Sequence, residues 1–318
     1  MKLTSLIGIT AHIHDLSGLL KKTKGDPEAF YSAGGRNIFF RLETIARIGS
    51  GLGDKDHFEE ARHLFKEAED LLGEYDFYVA YLNLFKENKN CVFAFLEIFG
   101  DQLKESESVL RDNLKKWLAP STTEIIGEFY KRCEEVSFED ESDFTKAFSR
   151  FLKKSAEKIN HDYSTGVYNT SDIEAGLHEL RRKLRWISLY IQISGGIIQH
   201  HPSQHTEEKF NRYLTKEIKT SPFMQLSKHP TFKHPVILRT EIYAALSWMI
   251  ATLGRYKDEA LTLALFDHHP PLKNCYELTT PEELTEKAIL KQVSEIADQF
   301  FEEDRIIHEL IRDLNSYC

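Results

Sequence analysis

The chain has 318 residues, of which 29% are charged and 41% hydrophobic, a globular balance that leaves room for one large domain or two medium ones. Its formal net charge of −9 has the wrong sign for a nucleic-acid-binding protein. The four cysteines show no C-x-x-C spacing and no run of eighteen apolar residues occurs, so we expect free thiols in the reducing cytoplasm and no membrane span.

The first part of the chain carries patterns that are typical of helices. Apolar residues at helical spacing indicate a helix over 3–22. The dipeptide Asp26-Pro27 predicts the start of a second helix, with the acid as N-cap and the proline at the first helical position. Within this second helix, the Gly34-Gly35 pair either weakens the helix or marks a close approach of the backbone to a neighbour.

The stretches 77–85 and 91–99 are rich in aromatic residues and flank the polar sequence KENKN. They are compatible with two helices or with a β-hairpin. We expect helices, because a similar stretch later in the chain has a plainly helical pattern. After them, Ser121 and Glu124 predict a capping box at the start of a helix over 122–136.

An acidic run at 139–143 opens the next predicted helix, which ends in lysines and so complements the helix dipole at both ends. The loop 161–170 follows it, and we expect this loop to divide the chain into two domains, 1–160 and 171–318. The stretch 197–235 is rich in histidine, proline and lysine, and we interpret it as an insertion in the second domain.

A long helix is predicted over 172–196, with Ser171 and Glu174 as its capping box. Four basic residues on it have the spacing i, i+3, i+4 and i+7 and therefore share one face: His178, Arg181, Arg182 and Arg185. Guanidinium groups on a rigid helix suit phosphate oxygens, because each can donate two parallel hydrogen bonds. The pattern is equally typical of a solvated basic face beside the core, so both interpretations remain open.

The sequence HELRRKLR at 178–185 resembles the signature of the CHAD family, the conserved histidine α-helical domain. That signature has a histidine, an arginine three residues later and further arginines one turn on. His178, Arg181 and Arg185 match it position by position, and Arg182 is an additional base. The resemblance implies an all-helical fold of two related four-helix bundles. It also implies a basic central groove that binds inorganic polyphosphate.

A short internal repeat predicts that the two halves arose by duplication. The sequences LGEY at 72–75 and LGRY at 253–256 each follow an amphipathic helix and precede a run that ends in Leu-Phe. Both are also similar to a Leu-Gly element that the CHAD family carries after its basic helix. The fold class we expect is therefore all-α, with two related four-helix-type bundles of long antiparallel helices.

The duplication also assigns residues to a second wall of the expected groove. In the first half, Arg36 corresponds to Arg181, whereas Ala33 occupies the position that His178 has in the second half. We expect Arg36 and Arg41 to form the wall opposite the basic helix, with Lys257 at the rim.

The last part of the chain also has helical patterns. The residues 236–266 indicate one helix or a helix pair around Trp248. The sequence TPEE at 280–283 predicts the start of a final helix that runs to about Asn315 unless it bends.

Three functions are compatible with these patterns. The first is non-enzymatic binding of polyphosphate or another phosphorylated ligand. The second is a helical scaffold that has lost this ligand and binds a protein partner. The third is a metal-dependent phosphohydrolase that uses His161, Asp162, His268 and His269. We find no phosphate-binding glycine-rich loop and no nucleophile elbow, so nothing in the sequence argues positively for catalysis, a cofactor or a metal site.

Overall fold

A computed structural model of the chain describes residues 1–169, 172–204, 207–224, 226, 232–233, 235–275 and 285–316. Helices make up most of these residues, and two four-residue strands form a small sheet. The predicted all-α fold class is therefore confirmed.

Contacts within the chain define two compact units. The N-terminal unit consists of Lys2–Ser137 and Phe266–Thr279. The C-terminal unit consists of Met1, Phe138–Leu265 and Thr280–Cys318. This grouping differs from the predicted division of the chain at a loop in the 160s, because the helix before that loop packs against later helices of the C-terminal unit.

The N-terminal unit begins with seven helices. They are α1 (Leu3–Leu6), α2 (Ile9–Thr23), α3 (Pro27–Ser32), α4 (Gly35–Leu52), α5 (Asp56–Phe85), α6 (Lys89–Trp117) and α7 (Pro120–Glu135).

Two of the predicted helices in this unit are each divided by a glycine with a left-handed backbone. The predicted helix 3–22 is divided by Gly8, which has a φ of 61°. The predicted helix after Asp26 begins as expected, since the Asp26 side chain accepts a hydrogen bond from the Ala29 amide, but it is interrupted before Gly34, which has a φ of 83°. The prediction of one continuous helix was therefore wrong in both places, because only glycine adopts this conformation without a steric penalty. The close approach considered for the Gly34-Gly35 pair is confirmed, since a Cβ at Gly35 would overlap the ring of Phe30.

The helices α5 and α6 form an antiparallel hairpin, so the aromatic stretches 77–85 and 91–99 are helical as predicted. Their aromatic side chains pack between the two helices, with ring centroids 6.0 Å apart for Tyr81 and Phe95 and 5.8 Å apart for Phe85 and Phe95. The side chain of Asn88 caps α6 by accepting hydrogen bonds from its first amides.

The predicted capping box at Ser121 was wrong. The helix α7 begins with Pro120 at its first position, after Ala119, and no side chain caps it. Because proline fixes φ at a helical value and has no amide hydrogen to satisfy, the helix begins before Ser121 can occupy the N-cap position.

The C-terminal unit contains most of the later helices. They are α8 (Glu141–Ser164), α9 (Glu179–Ile193), α10 (Lys216–Thr220), α11 (Thr240–His268) as far as Leu265, α13 (Glu286–Asp298) and α14 (Ile306–Asn315), while the end of α11 and α12 (Pro270–Cys275) belong to the N-terminal unit. The helix α8 packs against α9 and α14.

The predicted insertion 197–235 is mostly irregular where it is described, and it begins with a short strand. This strand, β1 (Ile198–His201), pairs in parallel with β2 (Val236–Arg239), and Ile198 is opposite Val236. Four residues are too few to give a recognisable alternating pattern, so the sheet was not predicted from the sequence.

The last predicted helix is not continuous. Its predicted start at 280–283 lies outside the described residues, and the described helix α13 begins after Thr285, whose hydroxyl accepts a hydrogen bond from Ala288. After α13 the backbone widens into a π-helical turn (Gln299–Glu303), and Arg305 then takes a left-handed conformation with a φ of 55° before α14. The prediction of one long helix to Asn315 was therefore wrong.

Candidate functional site

The basic face predicted from the sequence lies on α9, which continues from a π-helical turn (Ile173–His178). Asp172 caps this turn by accepting a hydrogen bond from the Ala175 amide, at 2.6 Å. The predicted cap, Ser171, lies outside the described residues. The apolar stripe of the helix is buried as predicted and packs into the core of the C-terminal unit. Its buried members are Leu177, Leu180, Leu184, Ile187 and Ile191.

Two of the predicted binding residues on this face are held by carboxylates of the same helix. Nδ1 of His178 lies 2.8 Å from Oε2 of Glu174. The guanidinium of Arg182 lies 2.6 Å from Oε2 of Glu179, and Nζ of Lys183 lies 3.0 Å from Oε1 of the same carboxylate. One acid therefore bridges two bases one turn of helix away.

The environment of Glu179 favours its charged form. Burial opposes this, but Lys183 and Arg182 outweigh the burial, so the pKa of Glu179 lies below its usual value. The side chains of Arg182 and Lys183 remain about 40% exposed, so solvent reaches this cluster of charges.

Asp162, which the sequence suggested only as a hydrolase residue, lies on α8, the helix that packs against α9. The carboxylate of Asp162 is 3.0 Å from Nζ of Lys158, on the adjacent helix α8. Burial raises the pKa of Tyr168, and the charges of Asp162 and Glu179 raise it further. The lysine-rich end of α8 was evident in the sequence, but its position beside α9 depends on tertiary packing.

The predicted residue Arg181 points towards α11. Its Nε donates a hydrogen bond to the carbonyl of Ile250, at 3.3 Å. Its guanidinium covers Gly254, and a Cβ at that glycine would lie 2.9 Å from Nε. Lys257 is three residues further along α11, and its Nζ pairs with Asp258 at 2.9 Å. Arg185 is partly buried on the same side of α9 as Arg181.

The two residues predicted for the opposite wall belong to the N-terminal unit. Arg36 is bound by two carboxylates there: its Nε is 2.8 Å from Oε1 of Glu69, and its Nη1 is 2.6 Å from Oδ2 of Asp76. Asp76 also accepts a hydrogen bond from the hydroxyl of Tyr31. Arg41 is exposed on α4, where its charge adds to burial in lowering the pKa of His12.

The guanidinium of Arg36 also covers a glycine of the neighbouring helix. A Cβ at Gly73 of α5 would lie 2.7 Å from Nη2 of Arg36. Arg36 on Gly73 and Arg181 on Gly254 are thus the same type of contact, made by the two arginines and the two Leu-Gly elements that the sequence repeat had paired.

An exposed apolar surface is present on the α5–α6 hairpin. Phe93 is 71% exposed, and Leu96 and Phe77 are also exposed. We call Phe93 and Leu96, which lie three residues apart on α6, the hairpin patch.

Two of the residues proposed for a metal-dependent hydrolase, Asp162 and His269, have other contacts. Asp162 pairs with Lys158, and the ring of His269 meets Phe99 edge-on at 4.9 Å. Among the described residues, no group of three or more histidine, cysteine, aspartate or glutamate side chains is placed to hold a metal ion.

A cavity of about 320 Å³ opens in the N-terminal unit between the end of α4 and α7. Leu52, Phe58 and Val136 line it with apolar surface, and Arg132 lies at its edge. The guanidinium of Arg132 is held by Glu128 and Glu135, at 2.8 and 2.9 Å, so its charge is neutralised locally. No sequence motif marks this cavity.

Comparisons of the chain with protein-family models, with curated proteins and with solved structures found no match. In the part of the chain that the structure describes, no helix is both long enough and apolar enough to cross a membrane.

Proposed function

We propose that this chain is a non-enzymatic binding protein for a phosphate-rich polyanion, either inorganic polyphosphate or another phosphorylated ligand. The binding surface is the basic face of α9. Its solvent-exposed cations are Arg182 and Lys183, with His178 one turn away, while Arg181 and Arg185 support it from the side that faces α11.

The observation that carries this proposal is that two cations share the single carboxylate of Glu179, so this cluster keeps a net positive charge, whereas Arg36 and Arg132 are each bound by two carboxylates. The two carboxylate oxygens of Glu179 each contact a different cation, Arg182 and Lys183, at hydrogen-bonding distance. A phosphate group offers oxygens of the same kind, with greater charge, and arginine binds them with two parallel hydrogen bonds. A polyanion that displaces Glu179 therefore finds both cations already in place at a solvent-exposed position.

Two further features support the proposal. The motif at 178–185 resembles that of the CHAD family, whose members bind polyphosphate. The matched contacts of Arg36 on Gly73 and of Arg181 on Gly254 support an internal duplication of the kind that this resemblance implies. We propose on these grounds that the two halves of the chain share an ancestral helical bundle.

The pairing of Arg36 limits its part in the proposed surface. Two carboxylates already neutralise it within the N-terminal unit. Truncation of Arg36 is therefore expected to lower stability more than it lowers affinity for a polyanion. The proposal rests on α9.

The experiment that tests this function is a titration of labelled polyphosphate at several salt concentrations. We expect binding that weakens steeply with salt, because phosphate contacts release counterions. The substitution Arg182→Glu is expected to lower the affinity about tenfold. It should also reduce the slope of affinity against salt concentration by the equivalent of about one phosphate contact.

The matched control is Arg62→Glu in α5. Arg62 pairs with Glu59 at 2.5 Å with the same i, i+3 spacing as Arg182 and Glu179, but it lies in the N-terminal unit. This variant is expected to bind like the wild type. Equal losses for both variants, or no binding of the wild type at low salt, would show that α9 is not a polyanion site.

The hairpin patch favours a second candidate function, a helical scaffold that associates through apolar surface. Phe93 and Leu96 are both exposed one turn apart on α6, and exposed apolar patches mark interaction sites. The occupant we test is a second copy of this chain, which offers the same helical surface.

Sedimentation velocity of wild type and of Phe93→Glu tests this second function. Self-association that the substitution abolishes would support it. The control is Leu118→Glu, at an exposed leucine outside the hairpin patch. A wild-type chain that stays monomeric at high concentration would contradict self-association through the patch.

A further inference from the structure

Two of the cysteines, distant in sequence, meet in the N-terminal unit. Cys91 lies in the first turn of α6 and is fully buried, and Cys275 is the last residue of α12 and is partly exposed. Cys275 lies close enough to Cys91 to help burial raise the pKa of the Cys91 thiol, and the Cys275 thiol donates a hydrogen bond to the carbonyl of Leu272, at 3.2 Å. The third described cysteine, Cys133, is also buried, and burial alone raises the pKa of its thiol.

One asparagine side chain positions the backbones of both cysteines. Oδ1 of Asn88 accepts a hydrogen bond from the amide of Cys91, at 3.4 Å, as part of the α6 cap. Its Nδ2 donates to the carbonyl of Cys275, at 2.7 Å. Asn88, the residue that caps α6, thus joins the N-terminus of α6 to the C-terminus of α12 and holds the two cysteines near each other.

We propose that Cys91 and Cys275 form a reversible disulfide when the protein meets a low-molecular-weight disulfide such as oxidised glutathione. The bond would join the two chain segments that make up the N-terminal unit, Lys2–Ser137 and Phe266–Thr279. This inference does not depend on the proposed function.

The chemistry assigns different parts to the two thiols. Burial, together with the neighbouring Cys275, raises the pKa of Cys91 to about 12, so Cys91 stays protonated at first. The more exposed Cys275 attacks the glutathione disulfide as a thiolate, forms a mixed disulfide and releases one glutathione thiolate, which takes up a proton.

The second step closes the protein disulfide. The sulfur of Cys91 attacks the sulfur of Cys275 in the mixed disulfide, the bond to glutathione breaks, and the departing thiolate takes up the proton that Cys91 loses. In total, two protein thiols are oxidised and one glutathione disulfide is reduced to two glutathione thiols.

The test uses the full-length chain with Cys318→Ser, which removes a thiol outside the described residues. The protein is incubated with oxidised glutathione and digested without reductant, and the peptides are identified by mass spectrometry. We expect a linked pair of peptides that contain Cys91 and Cys275, and an unmodified Cys133. The melting temperature is expected to rise by about 5 °C or more on oxidation and to return on reduction.

The control variant is Cys275→Ser, a small change at a partly exposed position. It is expected to lose both the linked peptides and the rise in melting temperature. If Cys275 in the parent protein carries glutathione while Cys91 remains a free thiol, or if neither cysteine reacts, the proposal is overturned.

Discussion

Two glycines in the interiors of long helices, Gly73 and Gly254, are each covered by an arginine from a neighbouring helix. Glycine is a poor residue for a helix interior, so its presence there calls for a compensating contact. The close approach of a guanidinium provides one. At Gly73 the arginine is also held by two carboxylates, so glycine is the residue that lets this ion-pair network form against the helix.

The substitution Gly73→Ala tests this account. The added methyl group would displace Arg36 from its carboxylates, and a lost charge-assisted hydrogen bond costs about 1.5–3 kcal/mol. The better helix propensity of alanine offsets about 1 kcal/mol of this cost. We expect urea unfolding to show a net loss of about 1 kcal/mol.

Gly127 in α7 is the control, because a Cβ at Gly127 would meet nothing within 4 Å. Gly127→Ala is expected to stabilise the protein by up to about 1 kcal/mol. If Gly73→Ala were equally stabilising, the contact with Arg36 would not be what requires a glycine there.

His12 links stability to pH at the residue scale. Burial lowers its pKa, the charge of Arg41 lowers it further, and Asp15 opposes both. The folded protein therefore prefers neutral His12, while the unfolded chain binds a proton near pH 6.5. Stability from this group is present above that pH and is lost as the pH falls.

Thermal unfolding at several pH values between about 7 and 5 measures this effect. The variant His12→Gln is expected to lose less stability over this range than the wild type. Arg41→Gln should also reduce the loss, because it removes one of the two causes of the lowered pKa. Identical pH profiles for wild type and His12→Gln would contradict the expected direction.

At the scale of single elements, the local capping signals differ in how far they could be predicted. Asp26 and Pro27 act within one turn, and the helix began where the sequence indicated. The capping box predicted at Ser121 does not form, because Pro120 already occupies the first position of the helix. The left-handed residue Arg305 ends one helix and starts another without a glycine or proline, so the pattern of the sequence contained no signal for the break.

The capping assignments can be measured directly. Asp172→Ala removes the side chain that accepts from the Ala175 amide, and we expect it to lower the free energy of unfolding by about 1 kcal/mol. Ser121→Ala is the comparison, and it is expected to be neutral or slightly stabilising, since alanine is a better helix former. A loss at Ser121 as large as that at Asp172 would show that Ser121 caps α7 after all.

The basic face of α9 was also predictable, because it depends on residues that are close together in the sequence. Helical spacing alone places Arg181 and Arg185 on one side, and the acids that bind Arg182 and His178 are within four residues. The effects of Lys158 and Tyr168 on the charges near α9 could not be predicted from the sequence. They depend on how α8 packs against α9.

For the whole molecule, the net charge of −9 opposes the binding of any polyanion. A site must therefore act through a local cluster whose cations lie close enough to the ligand to outweigh the more distant acids. Distant charges are screened over about 10 Å at ordinary salt concentrations, whereas contacts at 3 Å are not. The cations of α9 meet this requirement, and Glu179 is the acid that most directly competes with a ligand for Arg182 and Lys183.

The measurement that tests the central claim most directly is the affinity of the Glu179→Gln variant for labelled polyphosphate. Removing this carboxylate frees two cations and deletes one negative charge at the site, so we expect the affinity to rise about fivefold or more. Glu59→Gln, which frees Arg62 in the same way in the N-terminal unit, is expected to leave the affinity unchanged. A Glu179→Gln variant that binds no better than the wild type, or no better than Glu59→Gln, would contradict a phosphate site on α9.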